Sequence, residues 1–423
     1  MDLNFSRAYA ENLDSQDPLA SFRSHFVIAD PGLIYLDGNS LGRLTRSSII
    51  WNQKLVEQEW GSELVRGWTE SWWEAPIRAG EKIARLVGAA PGQLVVCDNV
   101  SINLFKLAAA ALALRQDRTC IVTDTLNFPS DLYILQGLAR LLDKGHSIVR
   151  IGSQDGDMTP DLVALAAAID DNTALVTLSH VVFKSGYLYD MAAVTELAHR
   201  QGALVLWDLS HSAGALPVKL DACNADFAIG CTYKYLNGGP GSPAFLYVRK
   251  DLQEQVLSPI TGWWGQNAPF AFDLDYLPAP GMARFLSGTP PILSLIAMEA
   301  ALDPLLEAGM EAIKAKSLLL GEYLISLADA WLIPLGFSLG SPRSARQRGS
   351  HISLRHPEGY RINRVLIEEM KVIPDFRAPD NLRLGLAPLY TSFCDVWEAM
   401  DRILQVVGEK LYAKYPTEHL TVT

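Results

Sequence analysis

A lysine at the mouth of a buried strand opens the chemistry available to this chain. Within Ala225–Gly241, ADFAIGCTYKYLNGGPG, the apolar run Phe227 to Cys231 predicts a short buried strand. Thr232-Tyr233-Lys234 follows. Asn237, Gly238, Gly239, Pro240 and Gly241 then form a loop whose glycines permit a tight turn or a close backbone approach. A lysine so placed suits covalent work on a carbonyl: desolvation and nearby cations lower its pKa, and the free amine forms a Schiff base. Taken alone, Lys234 is equally compatible with a lysine that lays its stem along the surface. One strand earlier, Ala203 to Trp207 repeats the buried-strand pattern and ends in Asp208, followed by LSHSAG. A strand running into an acid, beside a strand running into a lysine, is the spacing of an open α/β sheet with its site at the carboxyl ends. An aspartate with a Schiff-base lysine is the constellation that holds pyridoxal phosphate. The acid keeps the pyridine nitrogen protonated, so the ring acts as an electron sink.

The elements that must position these groups alternate strand and helix. Strands are predicted at Leu94–Cys97, Cys120–Thr123, Ile148–Ile151 and Ala174–Leu178, with helices from Ile102, over Pro160–Ile169 and over Ala192–Gln201, where Gly202 is the stop. The alternation implies a mostly parallel sheet. Ala244–Val248 is expected to run antiparallel near its edge. Ser101 sits where the N-cap of the helix from Ile102 belongs, and a helix N-terminus offers N–H groups to a phosphate. Further helices are expected at Ser47–Glu59, Ile292–Ala308 and Met310–Trp331. Most of Trp60, Trp68, Trp72 and Trp73 are expected in the core. Toward the C-terminus, Gly349–Arg355 reads as a strand, Arg361–Met370 as a helix, and Val372-Ile373 and Leu382–Leu386 as strands. The expected division is an N-terminal segment of a small domain (1–45), a large domain (46–308) and the C-terminal small domain (309–423).

Composition narrows the function. The chain has 423 residues, 49% hydrophobic and 20% charged, as in an ordinary globular protein. Its formal net charge of −11 argues against nucleic acid or an anionic membrane as partner, since both need basic patches. Cys97, Cys120, Cys223, Cys231 and Cys394 lack metal-ligand spacing and read as reduced cytoplasmic thiols, so no metal is expected. The N-terminal stretch lacks the basic and apolar regions of a signal peptide. The longest apolar stretch, Leu107–Leu114, is too short to span a bilayer. No internal repeat is present.

Four stretches, YLDGNSLG (35–42), NFPSD (127–131), WDLSHSAGA (207–215) and CTYKYLNGGPGS (231–242), resemble kynureninase of the bacterial type, a fold-type I pyridoxal-phosphate enzyme of the class V aminotransferase group. The likeness runs in the family's order from about Leu19 to Leu420. It implies an α/β fold of the fold-type I PLP-dependent transferase architecture. Such a fold has a mostly parallel central sheet with helices on both faces, plus a small α+β domain. The implied reaction is hydrolytic Cβ–Cγ cleavage of L-kynurenine to anthranilate and L-alanine. The implied unit is a homodimer with sites at the subunit interface. Lys234 would hold the cofactor and act as base, Asp208 would pair with the pyridinium, and Tyr233 would carry protons. Val100 and Ser101 would hold the phosphate, Phe128 would stack on the ring, and Asp131 would supply a second carboxylate. Ser179, His211, Trp263 and Thr289 would complete the cofactor site. Arg383, which read alone is a solvated edge residue, becomes the clamp for the substrate α-carboxylate, work that suits a guanidinium fork. Trp68, Asn39, Ser40, Gln266 and Gly288 would line the substrate pocket. The chain departs from the family pattern at Val100, where Thr is common, at Val182 and Phe183 in place of Asn and Tyr, and at Gln266 in place of His. Gly288 and Thr289 match the type that favours kynurenine over 3-hydroxykynurenine.

Two competing classes fit parts of this pattern. One is another enzyme of the same group, a kynureninase-like hydrolase of a ring-substituted kynurenine, an aminotransferase or a cysteine desulfurase. A desulfurase needs a mobile nucleophilic Cys in a C-terminal loop, and Cys394 follows Phe393 in an apparently ordered segment. The other is a cofactor-binding regulator, for which no basic DNA-reading segment is fused.

Overall fold

A computed structural model describes residues 5–418. Strands are numbered in chain order. Ile34–Tyr35 (β1) precedes the strands of a seven-stranded sheet: Leu94–Val96 (β2), Cys120–Asp124 (β3), Ser147–Ile151 (β4), Thr173–Ser179 (β5), Leu204–Asp208 (β6), Phe227–Gly230 (β7) and Phe245–Val248 (β8). Their order is β2-β8-β7-β6-β5-β3-β4, and β4, β3, β5, β6 and β7 run parallel. β8 is antiparallel to both neighbours, one strand in from the edge. β3, β5, β6 and β7 are buried throughout, which explains their continuous apolar runs. Side chains still alternate between faces. Ile121, Leu175, Leu206 and Ile229 pack under helix Val100–Leu114, while Val122, Val176, Val205 and Ala228 pack on the opposite side against helices Ala75–Val87 and Met191–Arg200.

A second core lies around four antiparallel strands, Ser338–Leu339 (β9), His351–Arg355 (β10), Asp375–Arg377 (β12) and Asn381–Gly385 (β13), in the order β12-β13-β10-β9. Val372–Ile373 (β11) pairs in parallel with β1 and so ties the N-terminal segment to this region. Leu36, Ile352, Leu354, Leu382, Leu384, Val396 and Met400 fill the core.

Several sequence expectations are corrected. Asn99, not Ser101, is the N-cap of helix Val100–Leu114: its extended backbone (φ −127°, ψ 171°) lets its side chain accept from the Ile102 N–H, and Ser101 falls inside the first turn. The helix expected over Ile292–Ala308 breaks into Ile292–Ala301 and Asp303–Ala308, because Pro304 cannot donate into the first helix's ladder. Of the four tryptophans expected mostly in the core only Trp72 is buried; Trp68 and Trp73 are partly buried against the core and Trp60 is exposed. β12 was not expected; only three residues follow Pro374 before the chain turns. The helical run Met310–Leu335 is long and apolar enough to cross a membrane, unlike any stretch foreseen. Its first helix, Met310–Leu327, packs on helix Phe393–Gly408 and β10, and its buried Lys316 pairs with Asp17 at 2.6 Å, as a core helix does.

Candidate active site

The parallel strands deliver their last residues to one edge: β5 ends at Ser179, β6 at Asp208, and β7 runs through Cys231 and Thr232 to Tyr233 and Lys234. Asn99, Val100, Ser101, Phe128, Ser130, Asp131, Asp208, Ser210, His211, Tyr233 and Lys234 enclose a cavity of about 170 Å³ there. Lys234 Nζ lies 2.8 Å from His211 Nε2 and 5.9 Å from the centre of the Phe128 ring. Burial and the Lys234 charge hold the His211 imidazole well below its usual range, so the ring is neutral. Asp208 Oδ1 accepts from the Ser210 N–H at 2.9 Å and hydroxyl at 2.6 Å. Burial pushes the Asp208 carboxyl up, and burial together with the Asp208 charge pushes Asp131 up further. The neighbouring Cys231 and burial raise the Tyr233 phenol.

The loop that carries Lys234 is fixed from outside. The Gly42 N–H donates to the Tyr233 carbonyl at 2.7 Å. A Cβ at Gly42 would stand 2.3 Å from the Lys234 carbonyl oxygen and 2.4 Å from Asn237 Oδ1, so only glycine allows this approach. Ser179 contributes less directly: its hydroxyl donates to Asn127 Oδ1 at 2.7 Å and it is absent from the cavity lining.

The cavity fits pyridoxal phosphate by its donor set. At one end, the first turn of a 15-residue helix presents unpaired N–H groups at Val100 and Ser101, with the Ser101 and Ser130 hydroxyls 3.1 Å apart. At the other end lie two carboxyls that could accept from a ring N–H, Asp208 and Asp131, both raised by burial, and Asp131 Oδ2 and His211 Nδ1 are buried without partners. Phe128, partly exposed at the mouth, is free on the side its T-shaped contact with Phe183 leaves open.

Next to this cavity lies a second polar cluster. His351, buried with neither ring nitrogen partnered, lies with its ring centre 5.4 Å from that of His211 at a tilt of 56°, and burial and Arg383 hold it neutral. Arg383 is 1% exposed, on the interior strand β13, so it is no edge residue. Its side chain leaves the face of Leu382 and Leu384 to meet Asp375 and the Phe183 carbonyl, with Ser40 Oγ 3.3 Å from Nη2. Asn39 is fully buried with both amide atoms unpartnered, and a Cβ at Gly385 would stand 1.8 Å from its Oδ1. Burial and Asp375 push the Asp37 carboxyl up to about 7. Asp375, Asp37, His351, Ser130 and Ser210 were not anticipated. Asp37 and Ser210 stood inside recognised motifs, which was a usable signal, whereas Asp375 and His351 carried none.

Other expected residues lie apart. Trp68 packs on Trp72 and Trp264 (both 5.1 Å) in an aromatic cluster with Trp73, Trp263 and Phe270. Trp263, Gly288 and Thr289 are exposed, although Ser287 reaches Asp98 at 3.4 Å, beside the helix turn that lines the cavity. Gln266 is committed to its own loop: Oε1 accepts from the Asn267 and Leu277 N–H groups, both at 2.9 Å, and Nε2 donates to the Asp275 carbonyl at 3.1 Å. Cys394 is the second residue of helix Phe393–Gly408, its N–H donating to Asp14, and burial and Asp14 push its thiol up to about 12. It is neither mobile nor activated.

Comparison with known proteins gives a consistent assignment. A sequence model of the kynureninase C-terminal domain matches residues 313–403. The chain is 44% identical over 407 residues to a kynureninase of Pseudomonas fluorescens, covering 95% of each chain. It is 45% identical over 412 residues to one of Burkholderia pseudomallei (strain 1106a), covering 96% of this chain and 97% of that one. Among solved structures, a cysteine desulfurase from Thermococcus onnurineus NA1 superposes with a TM-score of 0.77 at 19% identity, covering 94% of this chain and 98% of that one. The cystine C-S lyase C-DES does so with a TM-score of 0.76 at 18% identity, covering 88% and 98%. These structures share the fold.

Proposed function

The chain belongs to the kynureninase family, and we propose on that premise that it hydrolyses L-kynurenine to anthranilate and L-alanine with the cavity around Lys234 as its active site. The observation that carries the assignment of the cavity is the convergence of Lys234, His211, Asp208, Asp131 and Phe128 at the carboxyl ends of parallel strands. Pyridoxal phosphate is the cofactor; when bound, it withdraws electrons from the substrate's Cα and Cβ and so labilises the Cβ–Cγ bond.

The chain's own residues supply the rest. Val100 and Ser101 would offer N–H groups to the phosphate, Phe128 would cover the ring, and Asp208, its carboxyl kept in place by Ser210, would pair with the ring nitrogen. Lys234 holds the cofactor in the resting enzyme and, once released, takes the proton from Cα. Neutral His211 accepts from the lysine and steers Nζ. Arg383 grips the α-carboxylate, which sets Cα toward Lys234. Water adds to the Cγ carbonyl; as the Cβ–Cγ bond breaks, Cγ leaves as the carboxyl of anthranilate, the electron pair stays with Cβ, and the Tyr233 phenol, kept protonated by its raised pKa, gives Cβ its proton and recovers one from the added water. A desulfurase reading is disfavoured by Cys394, which lies in the first turn of a helix with its thiol pKa raised.

The aromatic end of the substrate has a stated preference. A buried 3-hydroxyl needs a polar partner, and leaving it unpaired costs about 1–3 kcal/mol, or one to two decades in specificity. Gln266 is tied to its own loop through both Oε1 and Nε2 and does not line the cavity, and Gly288 offers no side chain. The ratio of kcat/KM for kynurenine to that for 3-hydroxykynurenine is expected to be about 10 or more. A preference for the hydroxylated compound, lost in Gln266→Ala, would show that the amide leaves its loop to meet the substrate.

The active unit is a homodimer in the cytoplasm. The exposed aromatics Trp263, Phe270 and Phe272 contact one another in series, and Leu274, Gly288 and Thr289 are exposed as well, an apolar surface that a partner subunit would cover. All five cysteines are free, as in a reducing compartment. Sedimentation of the holoenzyme is expected to give a dimer, and a fully active monomer would refute the shared-site arrangement.

A further inference from the structure

Arg383 already has a carboxylate in hand. Its Nη2 meets Asp375 and lies 3.3 Å from Ser40 Oγ, its Nη1 donates to the Phe183 carbonyl, and its Nε is buried without a partner. Asp375 is buried as well, accepting the Ser40 hydroxyl at 2.8 Å and pairing through its other oxygen with Arg377 at 2.5 Å. Register makes this contact: Asp375 on β12 stands directly opposite Arg383 on β13. A guanidinium grips a carboxylate at two points through either of two edges, Nη1 with Nη2 or Nε with Nη2. Each edge uses one of the two Nη2 hydrogens, and Nη2 already donates to Asp375 and to Ser40 Oγ, which Asp375 itself holds.

We propose that Asp375 is a resident counter-ion that occupies the Arg383 fork until the substrate's α-carboxylate takes its place, and that it thereby sets the affinity for amino-acid carboxylates. This rests on the reading of Arg383 as the clamp. The exchange makes and breaks no covalent bond and moves no proton. Arg383 trades one carboxylate for another, while Asp375 keeps Arg377 and Ser40 as partners. In the free enzyme the pair removes the cost of an isolated buried cation. In the complex it makes that cost the substrate's competitor. Asp375 acts through Arg383 and is a positioning residue.

The sign of one substitution separates this role from simple propping. Asp375→Asn keeps the size of the side chain and one of its two acceptor oxygens and removes its charge. On the holoenzyme, both KM for L-kynurenine and the calorimetric Kd for L-alanine are expected to fall about tenfold, since a charge-assisted competitor is lost. If Asp375 only props the guanidinium, both constants rise; a rise or no change overturns the proposal. Asp375→Ser, which also removes the charge, carries the same expectation if the Asn variant does not fold. Arg383→Lys, measured alongside, keeps the two readings apart. Unchanged constants there refute the clamp itself, whereas raised constants there with no fall in the Asp375 variants refute only the counter-ion.

Discussion

Lys234→Ala abolishes turnover, with kcat expected to fall by at least about 10⁴-fold, because one side chain both carries the cofactor and moves the Cα proton. The loss should have a spectroscopic counterpart. The purified variant is expected to lack the visible absorbance that a lysine-linked cofactor gives. Borohydride treatment of the native protein should fix the cofactor to the peptide containing Lys234, and its recovery on any other lysine would refute the assignment. The structure gives this expectation its physical basis. Lys234 is held in place by the Gly42 contact to its loop and by the 2.8 Å contact with a neutral His211, so no other amine among the cavity-lining residues can replace it.

Arg383→Lys should raise KM for L-kynurenine by about 10- to 100-fold, because one ammonium cannot reproduce two parallel N–H bonds to a carboxylate. The buried setting sharpens the effect. An ammonium on a shorter reach must hold the Phe183 carbonyl together with Asp375 in the free enzyme or the substrate in the complex, with fewer donors than the fork supplies. A kcat that changes less than KM would mark lost carboxylate binding rather than disturbed chemistry. An unchanged KM would show that Arg383 serves only the ion pair with Asp375.

The residues differ in how clearly the sequence announced them. Lys234 and Asp208 could be read because each closes a continuous apolar run, and a run of that kind in an alternating chain is a parallel strand whose carboxyl end faces the site. The sheet itself followed from the same signal. Arg383 was legible as a side chain pointing away from Leu382 and Leu384, while its burial depended on β12, a three-residue strand that no local pattern marks. Asp375 and His351 were illegible for a related reason: their partners come from strand register and from the meeting of two cores, which periodicity does not encode. The helix cap was misread between two capping residues two positions apart, and only the extended backbone at Asn99 decides between them. Gln266 shows the converse, a polar residue in a recognised motif whose hydrogen bonds all go to its own loop.

The central claim is the reaction itself, and product formation by the purified holoenzyme tests it most directly. On addition of L-kynurenine, anthranilate fluorescence should rise with L-alanine formed in equal amount, and L-cysteine should release no sulfide. With dithiothreitol present to reduce any transferred sulfur, sulfide and alanine from L-cysteine and no anthranilate from kynurenine would contradict the account and place the chain with the desulfurases whose fold it shares.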